Sequence, residues 1–399
     1  MTRAARRDVL TAFVASRLLV LVAAALAAAT LPVSDNSSAP DGKIVPGISH
    51  PFGDGALAGV LDAIFTPLLR WDGLWYLTIS RDGYVPTGLV PGNPGERAAF
   101  FPLYPLVVHV SGGVAGAGAT LILATVVSLA AFAAGLVVVH RLAELELGAD
   151  AARGAVFVLA FWPASYFFSA PYTESLFLAL SAGAFLAART RHWAWAGILG
   201  ALAAATRNTG VLLLVPLVLL YVGSARPRRL DANVLWLALV PLGLVAYMLH
   251  LDHVLGDAQA WRHAQEGFGR PSLEPPWTTI RLAFAGVRDA LRDPGPVALP
   301  NVLDLACLLL VAVATVGAFR RLPAAYGAWI VVALLPALCS PFAGEALRSL
   351  PRFAAVLFPI AIWLGWWLTQ RRLLERAAAA SALLLVALTA AFTAWLPFV

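Results

Sequence analysis

Apolar residues in this chain come in long runs, and polar residues gather in short clusters between them. The first run, from about Val9 to Leu31, follows Arg3, Arg6 and Arg7. A basic flank before an alanine-rich apolar run resembles a secretion signal. The run is about long enough to cross a bilayer, however, and further runs follow, so it reads as an uncleaved first helix. Ten more runs read as spans: 117–140, 154–169, 172–189, 193–206, 209–224, 233–254, 299–319, 324–341, 352–369 and 377–397. The pattern predicts an all-α, multi-pass membrane fold with about eleven transmembrane helices, in one domain covering 1–399. Several runs fall short of the ~20 residues a full span needs. Such helices are expected to end inside a cavity or cleft rather than in lipid.

Two long segments, 32–116 and 255–298, interrupt the runs. The basic clusters Arg189/Arg191, Arg226/Arg228/Arg229, Arg320/Arg321 and Arg371/Arg372/Arg376 alternate so that all fall on the side of the N-terminus. Cytoplasmic loops carry the excess of basic residues. The N-terminus is therefore expected in the cytoplasm and both long segments outside.

The first segment opens with a turn-rich polar stretch, 34–42, and continues as an apolar stretch from Ala56 to Leu69. Residues Arg70 to Tyr84 follow, with Asp72, Asp82, Arg70 and Arg81 among aromatic rings. Trp71, Trp75 and Tyr76 recur at helical spacing, and indole and phenol rings favour the membrane–water boundary. The stretch reads as a short interfacial helix that holds Asp72 just outside the hydrocarbon. An aromatic belt that merely anchors a loop has the same pattern. The later stretch Ala99 to Leu106, with Pro102 and Pro105, is too short and too broken to span. It reads as a second interfacial or re-entrant piece.

Composition turns the membrane reading into an exclusion. Apolar residues make up 60% and charged residues 13%, with a mean hydropathy of +0.80. Soluble domains are about a quarter charged. The net charge of +6 then sets orientation and carries no nucleic-acid signal. High alanine, glycine and arginine with almost no lysine suggests a bacterial source. Cys307 and Cys339 lie in apolar runs and read as small buried hydrophobes. His and Cys show no metal-ligand spacing, and no glycine-rich phosphate loop appears. The chain is therefore expected to use no metal and no nucleotide.

Three polar groups stand at membrane depth on the outer side. Ser165 to Ser175 forms a tight turn between spans, with Glu174 at a span start, where a carboxylate also suits the helix dipole. Arg207 is wedged between two short apolar runs. An unpaired arginine there costs at least ~2.5 kcal/mol, so an anionic partner is expected. Arg348 and Arg352 flank a span start, against the helix dipole, which makes sense if an anion binds between them. Each arginine alone also fits a snorkelling interfacial side chain. Arg17, inside the first run, should face the interior or snorkel. Arginines near helix starts suit a phosphate, and a nearby carboxylate suits a general base. Together they suit a lipid phosphate losing its sugar to a hydroxyl.

The chain resembles the GT-C superfamily of membrane glycosyltransferases, and within it the GPI mannosyltransferase II (PIG-V) family and its bacterial relatives. The matching pieces are Arg70-Trp71-Asp72-Gly73-Leu74-Trp75-Tyr76 with Gly83-Tyr84, Phe100 to Pro105, and Phe161 to Ser165 running on to Pro171-Tyr172-Thr173-Glu174-Ser175. Arg207 in its apolar hairpin, Ser349 to Phe353 and Phe358-Pro359 complete them, from about residue 10 to 370. The resemblance implies a GT-C fold, a polyprenyl-phosphate mannose donor, inversion at the sugar and an extracytoplasmic site in the plasma membrane. It implies no cofactor, and as partners membrane lipid, the lipid-linked donor and a glycolipid, glycan or protein acceptor. Asp72 would be the catalytic base. Arg70, Trp71, Trp75, Tyr76, Tyr104, Tyr172, Glu174, Arg207, Arg348 and Arg352 would bind substrate and donor. A bacterial chain has no GPI, so that acceptor does not carry over, and the insert 34–55 matches no family feature. A transporter or flippase of a lipid-linked or anionic substrate also wants buried arginines and broken helices, but favours internal repeats and charges deep in its spans. A non-catalytic partner subunit would need Asp72 to be dispensable.

Overall fold

The computed structural model describes residues 1–31, 51–85, 95–112, 116–224, 231–268, 273–293, 295 and 297–396. The polar stretch 34–42, most of the insert 34–55 and the Arg226/Arg228/Arg229 cluster lie outside these. Among the described residues no sheet forms; Phe342 and Glu345 make one isolated antiparallel bridge. The chain is an all-α, multi-pass membrane protein. Among the described residues five helical segments are long and apolar enough to cross a membrane: Arg3–Thr30, Ala117–Leu147, Ala232–Leu255, Ala298–Arg321 and Leu374–Thr393. The other expected spans form shorter helices, several of them with outward-facing apolar side chains such as Trp195, Val222 and Val331.

Helix α1 (Arg3–Thr30) starts at Thr2, whose hydroxyl accepts from the Ala5 amide. It packs on the helices 149–160 and 374–393. The first segment folds as α2 (Ala56–Phe65), a 3-10 turn over Thr66–Leu68, α3 (Asp72–Asp82), a second 3-10 turn over Glu96–Ala99, and α4 (Leu103–Val110). The expected helix in the Trp-Asp-Gly stretch is present, but its rings are not a surface belt. Trp75 and Tyr76 are buried among Phe100, Tyr104 and Tyr172, with centroid separations of 5.4–6.2 Å. Edge-to-face aromatic packing of this kind fixes α3 firmly.

Next come α5 (Ala117–Leu147) and α6 (Ala149–Ala160). The run 154–169 does not form one span. Pro163 disfavours helix at the residue before it, and the chain passes into a 3-10 turn over Ser165–Phe168. Carbonyls freed at this break must be satisfied internally. Arg17 does so: Nη2 donates to the Ala160 carbonyl (3.1 Å) and Nη1 to that of Ser165 (2.7 Å), with further bonds to the hydroxyls of Ser16, Ser165 and Ser169. The Arg17 guanidinium also lies over the Phe132 ring. Of the two fates open to Arg17, the structure takes the interior one.

The chain continues with α7 (Glu174–Arg189), α8 (Trp193–Thr206), a 3-10 turn over Asn208–Leu213 and α9 (Leu214–Ser224). At the far end of α7 from Glu174, Arg189 and Tyr326 both bond Glu146 and tie helix ends together. The run 233–254 is a 3-10 segment, Ala232–Leu239, leading past Pro241 into α10 (Leu242–Leu255). The second segment holds α11 (Ala260–Gly267) and α12 (Pro276–Arg292). Then follow α13 (Ala298–Arg321), α14 (Ala324–Leu338), α15 (Leu350–Ala355), α16 (Phe358–Gln370) and α17 (Leu374–Thr393). The run 352–369 is thus divided at 356–357, and Pro359 sits in the first turn of α16, where its missing N–H costs nothing. The start of α3, the start of α7, the residue after α8 and α15 meet at one charged cluster. Both cysteines are free, with Cys307 buried and Cys339 half-buried.

Candidate active site

Asp72 is the first residue of α3, and local geometry aims it inward. Trp71 precedes it at φ 50°, the left-handed region that a bulky residue rarely adopts. Its indole lies edge-on to Trp395 at 5.0 Å. Gly73, next along α3, serves close packing. A Cβ there would sit 3.1 Å from Pro171 and 3.2 Å from Tyr172, so glycine lets α3 pack tightly on the 171–172 turn. The Tyr172 hydroxyl locks that contact by donating to the Arg70 carbonyl at 2.8 Å.

The Asp72 carboxylate accepts from Arg352 Nη1 at 2.6 Å. Arg352 Nε donates to Glu174 Oε1, and the same oxygen accepts from Arg207 Nη1 at 2.6 Å. Two arginines and two carboxylates thus form one chain, Asp72–Arg352–Glu174–Arg207, with a formal charge of zero. Arg352 lies over the rings of Phe167 (4.9 Å) and Tyr172 (4.7 Å), and Arg207 over those of Phe177 and Phe353. Such faces add cation–π attraction in a site shielded from water. Arg207 thus has the anionic partner expected for it in Glu174, and Arg352, where an anion was expected, meets the carboxylates of Asp72 and Glu174. Arg348 is likewise partnered, 3.7 Å from Glu345 and over Phe342. Arg207 Nε and Nη2 and Arg352 Nη2 nevertheless make no hydrogen bond among the described residues.

This cluster borders a cavity of about 990 Å³, at the upper end of ordinary ligand sites. Asp72, Trp71, Trp75, Tyr76, Arg207, Arg348 and Arg352 line it. The Asp72 side chain is 35% exposed, while Glu174 is fully buried. Burial first, then the carboxylates of Asp72 and Glu174, push the Tyr76 phenol well above its usual value against the pull of Arg207 and Arg352, so it stays a neutral hydroxyl. An apolar wall faces the charged one, built from Val211, Leu212, Leu335 and Pro336.

Four expected ligand residues stand behind the wall instead. Glu174 holds the two arginines. Tyr172 braces α3. The Arg70 guanidinium turns away, donating to the carbonyls of Thr393, Thr66 and Leu69. The Tyr104 hydroxyl donates to the Ala124 carbonyl and meets Ser128, tying α4 to α5. Conversely, sequence reasoning passed over Trp395, Asn208 and the α11 residues Trp261, Arg262, Gln265 and Glu266, all of which line the cavity. The mixture of tryptophan with polar side chains in the second segment was the signal available for them. Among the described residues, no group of three or more His, Cys, Asp or Glu side chains could hold a metal ion.

An all-helical membrane protein with Asp72, Arg207 and Arg352 brought together on one large cavity is the class that fold and site define. The chain belongs to the mannosyltransferase (PIG-V) family, whose model matches residues 6–224. No curated protein matches it. Among solved structures it is similar to ArnT from Cupriavidus metallidurans in the apo state, at 15% identity and a TM-score of 0.47, covering 82% of this chain and 60% of that one. It is also similar to the same protein bound to undecaprenyl phosphate, at 13% identity and a TM-score of 0.48, covering 86% and 75%. The chain thus spans 60–75% of the length of these ArnT structures.

Proposed function

We propose that the chain is a GT-C glycosyltransferase that moves a sugar, mannose, from a polyprenyl-phosphate donor to a hydroxyl of a glycolipid, glycan or protein acceptor. Family membership supports the sugar and the reaction type. The observation that carries the mechanism is the Asp72–Arg352 contact on a cavity shared with Arg207. The unused N–H groups of the two arginines suit the phosphate oxygens of the donor, bidentately. The apolar wall suits its isoprenoid chain.

The acceptor hydroxyl loses its proton to Asp72 while its oxygen bonds the anomeric carbon. The bond from that carbon to the phosphate oxygen breaks, and polyprenyl phosphate leaves against Arg207 and Arg352. One displacement inverts the sugar. Phosphate is a competent leaving group, so positioning and a base suffice. Arg352→Ala should raise the donor requirement and lower kcat/KM at least about tenfold, since charge-assisted bonds contribute ~1.5–3 kcal/mol each. Arg376→Ala, in α17 and outside the cavity, should change little. Equal losses in the two variants count against the phosphate assignment.

The reaction side is proposed to be extracytoplasmic, with the N-terminus and the basic clusters in the cytoplasm. Ser37 and Ala225, both outside the described residues, report on this when converted singly to cysteine in a cysteine-free background. In intact cells an impermeant reagent should label position 37 and spare position 225. The reverse pattern would overturn the orientation.

A further inference from the structure

Trp395 lines the cavity, yet the transfer reading gives it no task. It shares an unusual feature with Trp71. Both bulky residues adopt left-handed backbone, Trp71 at φ 50° and Trp395 at φ 60°. A side chain of that size holds this conformation only where its surroundings impose it, and such strain gathers at functional sites. Trp71 stands just ahead of Asp72 and gives α3 no side-chain cap. Its backbone therefore depends on what packs around it.

That packing comes from the end of α17. Arg70 Nε donates to the Thr393 carbonyl at 2.9 Å, and its guanidinium lies 5.4 Å from the centre of the Trp395 ring. Thr393 is the last residue of α17, so its carbonyl has no partner within the helix, and a cation there also meets the negative end of the helix dipole. The Trp395 indole, 4% exposed, lies edge-on to that of Trp71 at 5.0 Å. Arg70 and Trp71, the two residues ahead of Asp72, are thus both held by the 393–395 turn. Phe392 braces the other partner. Its ring packs on Phe167 at 5.4 Å and on Tyr172 at 6.1 Å, the two rings over which Arg352 lies. One turn of chain therefore backs Asp72 on one side and Arg352 on the other, the pair that meets at 2.6 Å beside the cavity. Neither the Trp71 nor the Trp395 indole N–H has a hydrogen-bond partner among the described residues. The contact between them is ring against ring, and its effect is steric: it sets where α3 begins.

We infer that Trp395 is a positioning residue for sugar transfer: through Trp71 it fixes the backbone ahead of α3 so that the Asp72 carboxylate faces the cavity. This role rests on the transferase reading, in which Asp72 is the base. Without the Trp395 ring, Trp71 is free to relax to an ordinary backbone conformation, and the start of α3 moves with it. A displacement of about 1 Å at a reacting group costs up to about a hundredfold in rate. Donor binding, which falls to Arg207 and Arg352, changes little. α17 lies beyond residue 224, where the family match ends, so this support is a feature of the chain's own closing helix.

The test uses the whole chain in detergent, with a short-chain polyprenyl-phosphate mannose as donor and octyl α-mannoside as acceptor. Trp395→Leu keeps apolar bulk beyond α17 and removes the flat ring. It should lower kcat by about tenfold to a hundredfold and leave the donor KM within about twofold. Trp395→Phe restores a ring and should recover most of the parental kcat. The decisive comparison is made in an Asp72→Asn background, where no base is left to position. There, Trp395→Leu should cost less than about twofold. Damage to the fold would instead lower the active fraction by the same factor in both backgrounds, and that result would overturn the positioning role. If Asp72→Asn is slow while Trp395→Leu matches the parent, the role of Trp395 falls and the transferase reading stands. Near-parental transfer by Asp72→Asn would sink the base assignment and the positioning role together.

Discussion

Asp72→Asn is expected to lower sugar transfer by about 10²–10⁴-fold, the usual contribution of a positioned base, while donor binding persists. Asparagine matches aspartate in shape and can still accept from Arg352 Nη1 through its amide oxygen. It cannot take up a proton. The position makes the substitution informative: Asp72 is the only carboxylate of the buried charge chain that reaches the cavity, since Glu174 is fully enclosed. Asp82→Asn is the control. Asp82 ends α3, its side chain is half exposed, and it meets Arg97 at 3.8 Å away from the cavity. It should retain most of the parent rate. Transfer assays on purified protein, with donor binding measured separately, decide the matter. Near-parental transfer by Asp72→Asn would remove the base from this site. Glu174, the other carboxylate of the charge chain, could not take over without a rearrangement of the whole cluster.

Glu174→Gln should produce the second large effect, on stability as well as on donor use. Glu174 Oε1 accepts from both Arg207 and Arg352. Removing one partner of a buried ionic group leaves uncompensated charge and typically costs about 3–5 kcal/mol. Here two guanidinium groups would face each other across a neutral amide. Arg352 would rest on Asp72, and Arg207 would lose the one carboxylate it meets among the described residues. A lowered unfolding midpoint in detergent is the expected reading. Glu375→Gln is the comparison, because Glu375 is 91% exposed beside Arg153, and exposed pairs contribute only about 0–1 kcal/mol. Matching midpoints for the two variants would show that the Glu174 pairings do not hold the site together.

Much of this was legible from residue order alone, and the legible part is the part that local patterns encode. Apolar runs made a multi-pass helical membrane protein unavoidable, because lipid admits no unsatisfied backbone. The Arg70–Tyr84 stretch stood out because a carboxylate among tryptophans between spans is unusual in itself. With Phe100 to Pro105 and the 161–175 turn, it was enough to name the family. Helix breaks were partly visible: prolines at 163 and 359 mark them, yet the runs around them still looked continuous, because hydropathy does not register the backbone.

Only the tertiary structure decided how the charges are shared. Asp72 and Arg352 lie 280 residues apart, and Glu174 and Arg352 178. No spacing rule spans such distances, so the sequence called for an anionic partner without naming which carboxylate supplies it. The same holds for facing. Tyr104, Tyr172, Arg70 and Glu174 carry the right chemistry for ligands, but packing turned them into supports. Helix α11, polar and outside every span, became a wall of the cavity by docking on the 96–99 turn. A residue's type follows from the sequence, whereas its neighbours and the side it presents follow from how the helices close around one another.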